Sequence, residues 1–225
     1  MFFNIKRFFL FITLFSLLLG IFSPNFYNEV SVQNLKVLID AGHGGKDMGT
    51  QGVTTKVLES DLNLEYSETL GNYFKQAGFK VIFTRTDKNS LSESGLGFHK
   101  KKDMEKRKEI IKNSKPDLFI SIHMNEFLAD KNQCGAQSFY QENDEIGKKL
   151  SGKIQESLNM VNIKNKICLA GDFFILKENA MPSVIVECGF LSNSEEEYLL
   201  QTKEHKEKIC YAIFKGAMNY FYSNI

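Results

Sequence analysis

No Cys-x-x-Cys pair occurs among the four cysteines, Cys134, Cys168, Cys188 and Cys210, so a structural zinc ribbon is excluded by spacing. A domain of this size can stand on its apolar core, and free, buried thiols are the expectation for all four. Proline is scarce, with three in 225 residues, and no repeat or low-complexity tract interrupts the chain. With 43% apolar residues this composition suits a packed globule and excludes a collagen-like or disordered polymer. A surplus of either charge is also missing. Lys+Arg 28 against Asp+Glu 27 leaves +1, which provides no electrostatic footprint for nucleic acid and no acidic tail. Several familiar catalytic signatures are absent as well. There is no His-Glu-x-x-His zincin helix and no Gly-x-Ser-x-Gly elbow, and a phosphate loop over 40–47 would need Gly at Asp40 and Ser or Thr at Asp47.

The N-terminus is a unit of its own. Lys6 and Arg7 precede an uncharged run over 8–22, and the first acidic residue is Glu29. That is the layout of an export signal, so residues 1–28 are read as a signal or anchor segment and 29–225 as one folded domain. Bulky Ile21 and Phe22 stand where a signal peptidase prefers small side chains. The run over 8–27 has the roughly 20 residues a bilayer crossing needs, so an uncleaved segment would keep the chain in membrane contact with Lys6 and Arg7 inside. Either way the domain is expected outside the cytoplasmic membrane.

Beyond the linker, apolar runs and periodic helices alternate. Residues 35–39 read as a strand entering the loop Asp40-Ala41-Gly42-His43-Gly44-Gly45, and Leu62, Tyr66, Leu70, Tyr73, Phe74 and Ala77 line one helical face that stops at Gly78. A strand over 79–84, a loop over 90–102 and a charged helix over 103–112 follow. The run over 118–122 is nearly continuous in apolar side chains, as a strand covered on both faces must be. Further strands are expected over 136–140, 173–176 and 183–187, a helix over 145–160 and two closing helices, the first capped by Ser194 with Glu197. This alternation specifies a three-layer α/β fold, a mostly parallel central sheet with helices on both faces.

In such sheets ligands gather beyond the carboxyl ends of the strands. His43 lies just past the first strand, His123 and Glu187 close the runs over 119–123 and 184–187, and Glu59 falls just before the first helix. Two imidazoles and two carboxylates thus reach one rim. Two His and one carboxylate with an open fourth position make a catalytic zinc arrangement, and the remaining carboxylate can serve as general base. Each residue also has a plain reading: either His can be packed or hydrogen-bonded, and Glu59 can be a carboxylate favoured by a helix start. Glu187 is harder to dismiss, because a carboxylate ending an apolar strand is costly to bury without a cation, metal or donor. His99 and His205, among lysines, are read as solvated.

These residues sit in motifs. Leu38-Ile39-Asp40-Ala41-Gly42-His43-Gly44-Gly45, Glu59-x-x-x-Asn63-Leu64, Phe83-Thr84-Arg85, Ser121-Ile122-His123-x-Asn125 and Val186-Glu187-x-Gly189-Phe190-Leu191-Ser192-Asn193 together resemble the zinc-dependent N-acetylmuramoyl-L-alanine amidase family, amidase type 3. The blocks keep the family's order over about 35–220, with Ala41 where proline is common. The resemblance implies Zn2+ held by His43, Glu59 and His123, a catalytic Glu187, and hydrolysis of the amide between the lactyl group of N-acetylmuramic acid and L-alanine in peptidoglycan. Size, the N-terminal apolar segment and the stretch over 97–113 are similar to the spore-cortex branch, whose members strip peptides from muramic acid so that muramic-δ-lactam forms. Two other readings keep the fold: a non-catalytic peptidoglycan-binding module, and a zinc peptidase acting on the stem peptide. Three further expectations attach. Asp40 is a candidate to orient a ligand imidazole, or else a loop cap. Arg107 matches an arginine of the family pattern and is left outside the site as a helix residue open to solvent. With three protein ligands and no wall-binding domain, an exported accessory protein is a candidate partner for targeting or metal loading.

Overall fold

The computed structural model of the chain describes residues 34–92 and 99–223. The signal or anchor segment expected over 1–28 lies outside them. Among the described residues six strands form one sheet and five helices pack around it. The strands are β1 (Lys36–Ala41), β2 (Lys80–Phe83), β3 (Leu118–Asn125), β4 (Gln137–Gln141), β5 (Leu169–Gly171) and β6 (Ser183–Phe190). The helices are α1 (Glu59–Gln76), α2 (Lys100–Ser114), α3 (Glu145–Asn159), α4 (Ser194–Leu200) and α5 (Lys203–Ser223). Sheet order is β2-β1-β3-β6-β4-β5; the first four strands are parallel, and β4 runs antiparallel to β6. The fold is therefore the mostly parallel α/β architecture that the alternation of runs specified.

Strand alternation sorts the core into two layers. Val37, Ile39, Ile120, Ile122, Val184 and Val186 point to the face covered by α1, α3 and α5, where Leu62, Tyr66, Phe74, Leu150, Ile154 and Ile213 complete the larger cluster. Leu38, Phe119 and Ile185 point to the other face and meet Ile111 of α2 with Ile175 and Leu176. Both sides of β1, β3 and β6 are thereby buried, which is why their sequences show no polar alternation.

Some elements differ from the sequence reading. Residues 173–176 form no strand; Ile175 and Leu176 spend their apolar surface in the smaller cluster from a turn, and the strand lies at Leu169–Gly171 instead. The cap of α4 is Asn193, whose side chain accepts from the Glu195 and Glu196 amides at 3.0 Å each, not Ser194. Glu197 is freed by that choice and accepts from the amides of Thr54 and Thr55 at 2.8 and 2.7 Å, tying the loop ahead of α1 to α4. All four cysteines are free, Cys188 and Cys210 buried but Cys134 and Cys168 half-buried. His205 is half-buried rather than solvated, with Nε2 sequestered, whereas His99 is exposed. Among the described residues no helix is long and apolar enough to cross a membrane.

Candidate metal centre

β1 ends at Ala41, and the chain enters its loop through Gly42, whose amide still donates to Ile122 of β3 at 3.0 Å. A Cβ on Gly42 would overlap the His123 ring, so only glycine lets the loop cross that imidazole. His43 follows in the left-handed region with φ 61°, and a tight turn, in which Gly44 and Asp47 exchange amide bonds of 2.8 and 3.0 Å, folds the chain back. Glu59 is the first residue of α1 rather than the residue before it. Its amide donates to Thr50 at 3.0 Å, and its Oε2 accepts from Thr50 N at 2.8 Å, so loop and helix start are fixed to each other. His123 and Glu187 do not close their strands; β3 continues to Asn125 and β6 to Phe190. They are direct partners in the parallel register and so lie side by side on one face.

These elements deliver His43, Glu59 and His123 to one point, each offering a donor atom within 4.8 Å of the others. Glu59 Oε1 is the hub: His43 Nε2 stands 3.2 Å away and His123 Nδ1 3.0 Å, while Asn63 Nδ2 and the Met124 amide each approach at 3.3 Å. The two rings meet edge-on, centroids 5.0 Å apart at 78°. Asp47 Oδ1 stands 2.9 Å from His43 Nδ1, although that nitrogen is buried without an aligned hydrogen bond. Asp40 takes no part with an imidazole among the hydrogen bonds of the described residues. It accepts from Thr84 and Ser121 at 2.6 Å each and from Arg107, which corrects both the orienting role and the loop cap expected of it. Arg107 is not an exposed helix residue either, being 2% exposed.

The model of the N-acetylmuramoyl-L-alanine amidase family matches residues 37–219, a span that contains the whole cluster. This chain belongs to that family. The amidase is 33% identical over 192 residues to the germination-specific N-acetylmuramoyl-L-alanine amidase of Bacillus subtilis, covering 82% of this chain and 79% of that protein. Among solved structures it is similar to the CwlD amidase of Clostridioides difficile in complex with the GerS lipoprotein, with TM-score 0.79, 37% identity and coverage of 84% and 98% of the two chains. A second likeness is to an N-acetylmuramoyl-L-alanine amidase from Clostridium difficile 630, with TM-score 0.74, 28% identity and 84% and 97% coverage.

The electrostatics of the cluster follow from burial opposed by close partners. Burial alone would raise the Glu59 pKa, but the hydrogen bonds and charges of His123 and His43 outweigh it and hold the carboxyl well below its usual range. For His43, burial favours the neutral ring, yet Asp47 and Glu59 more than compensate and lift it to about 9. Glu187 behaves oppositely. Burial raises it to about 7, Glu59 adds to the rise, and His123 and His43 oppose it; its Oε2 is buried with no hydrogen-bond partner. Two imidazole nitrogens and a carboxylate oxygen around one point are the donor set of a catalytic zinc site, and the residues fit such an ion. A cavity of about 390 Å³ opens beside His43 and His123, walled by Met104, Phe173, Phe174 and Ile185 and edged by Lys100 and Asp172.

The sequence assigns no role to Asp47, nor to Asn63 and Arg85, which stand in the quoted motifs, and it leaves Arg107 outside the site. The available signal for Asp47 was the Gly44-Gly45 pair, which turns the chain back onto His43. For Arg107 the available signal was its match to an arginine of the family pattern, which hydropathy alone, with lysines on either side, does not carry.

Proposed function

We propose that this amidase holds one Zn2+ through His43, Glu59 and His123 and uses Glu187 to move the proton of hydrolysis. The bond cut is the amide joining the lactyl group of N-acetylmuramic acid to L-alanine. The observation that carries the reading is the convergence of three donor side chains on one point, with a carboxylate that has one buried, unpartnered oxygen in register beside one of them. Zinc there would lower the pKa of a water to about 7 and polarise the scissile carbonyl. Glu187, whose carboxyl burial pushes up to about 7 in the metal-free chain, is placed to accept the proton of the attacking water and to return it to the departing amine. Asn63, donating to Glu59 and to the Gly42 carbonyl at 3.1 Å, keeps the ligand carboxylate turned inward.

The setting is the spore cortex, supported by the likeness to a germination-specific amidase, and the domain acts outside the cytoplasmic membrane on peptidoglycan. An exported accessory protein assists it, a reading supported by the similar clostridial amidase found in complex with a lipoprotein. The test is product analysis on denuded peptidoglycan by mass spectrometry. Free stem peptides beginning with an L-alanine amine, and glycan stripped of peptide, are expected. Cuts within the stem would instead make the chain a peptidase with the same metal chemistry.

A further inference from the structure

Beneath the three metal-binding side chains lies a buried polar cluster with its own logic. Arg107 of α2 donates to the Ala41 carbonyl at 2.8 Å and the His43 carbonyl at 2.6 Å, and its remaining donors reach Asp40 and, at 2.7 Å, Asp103. Arg85, just past β2, donates to the carbonyls of Ala41 and Gly42 at 2.9 Å each and to that of Ser60 at 2.8 Å. Between them the two guanidinium groups take every carbonyl from 41 to 43, the segment that carries His43 in its left-handed conformation. Arg85 also joins that segment to the residue after Glu59. Asp40 extends the cluster to Ser121, two residues before His123. Every ligand-bearing segment is thus bonded to one cluster. Two arginines and two aspartates sum to zero charge, so a divalent cation nearby meets no net repulsion from it.

We propose that Arg85 and Arg107 are positioning residues that preset the geometry of the metal ligands by clamping the carbonyls of the His43 loop, with Asp40 and Asp103 neutralising their charge. The proposal rests on the metal reading above. A guanidinium presents five donors on three nitrogens in a fixed plane and so spans carbonyls on different segments; an ammonium offers three donors from a single nitrogen and does not reach as far or fix a plane. Supporting groups around metal ligands typically govern affinity by 10–100-fold.

The test uses the full chain with Arg85→Lys and Arg107→Lys, and Tyr66→Phe as a comparator. Tyr66 donates to the Leu200 carbonyl at 3.0 Å in the other core layer, so its loss costs stability without touching the cluster. Zinc affinity is measured by chelator competition, ligand geometry by the absorption spectrum of the cobalt-substituted protein, and metal-free stability by thermal melting. Both lysine variants are expected to bind zinc about 10–100-fold more weakly, with shifted cobalt bands. Tyr66→Phe should keep both at wild-type values despite a lowered melting temperature. Should Arg107→Lys fail to fold, Arg85→Lys decides, because it leaves Asp40 and Asp103 paired with Arg107. Wild-type affinity and spectrum in Arg85→Lys, or an equal loss of affinity in Tyr66→Phe, would overturn the clamp alone. A wild-type chain that binds no metal would overturn both the clamp and the proposed function.

Discussion

Glu187 has one oxygen that no donor reaches, and that deficit separates its role from that of Glu59, whose oxygens accept from Thr50, Asn63, Met124 and the imidazoles. Replacing Glu187 by Gln keeps the shape and removes the base. We expect metal content to stay at the wild-type level while turnover falls about 10²- to 10⁴-fold, the usual worth of a general base; a peptide-release assay reads it. His43 leads to a pH prediction. In the metal-free chain its folded pKa of about 9 stands above the ordinary 6.5. The protonated ring therefore stabilises the metal-free fold fully below pH 6.5, and that stability drains away as pH rises through 9. A metal ion needs the neutral ring, so its contribution grows over the same window. Melting curves of chelator-treated and zinc-loaded protein should diverge steadily from pH 6.5 to 9. Parallel curves would show that His43 does not exchange its proton for the ion. His43 and Glu59 were legible because they stand at a strand exit and a helix start, and His123 and Glu187 because each is an ionisable residue inside an otherwise nearly apolar run. Asp40 was misread since its partners, Thr84, Ser121 and Arg107, come from three distant segments that no local pattern connects.

Strands with two buried faces announce themselves as apolar runs, and β1, β3 and β6 were readable for that reason. The run over 173–176 shows where this logic fails: a turn can bury Ile175 and Leu176 as well as a strand can, and hydropathy does not report which backbone carries them. Helix ends obey a competition of their own. Asn193 takes the cap of α4, its side chain accepting from two amides at once, and Ser194 becomes the first helical residue. Close crossing of helices is set by single small residues. A Cβ on Gly216 of α5 would stand 2.5 Å from Ile154 Cα and 2.7 Å from the Lys153 carbonyl oxygen of α3, both backbone atoms that cannot yield. Gly216→Ala should destabilise the fold by about 1–3 kcal/mol, the range for overpacking, by urea denaturation. Because this contact lies between α3 and α5 and not at the rim, zinc affinity should be unchanged. Gly42→Ala should do the reverse, weakening zinc binding more than it weakens the metal-free fold, since its Cβ displaces the His123 ring.

The amidase is arranged as a parallel sheet that carries β3 and β6 side by side to one rim, with α1 starting at that rim and the His43 loop folded over it. The architecture and the family were legible in the alternation of elements and in five ordered motifs. The polar cluster beneath the ligands was not, because it draws on β1, β2, β3 and α2 at once and exists only when the chain is folded. The most direct test is the zinc content of the purified full-length chain, by elemental mass spectrometry, in the wild type and in His43→Ala, Glu59→Ala, His123→Ala and Glu187→Gln. About one zinc per chain is expected in the wild type and in Glu187→Gln, and close to none in the other three, as for a three-ligand catalytic site. A folded, peptide-releasing wild type without zinc, or full zinc in any of the three alanine variants, would contradict it.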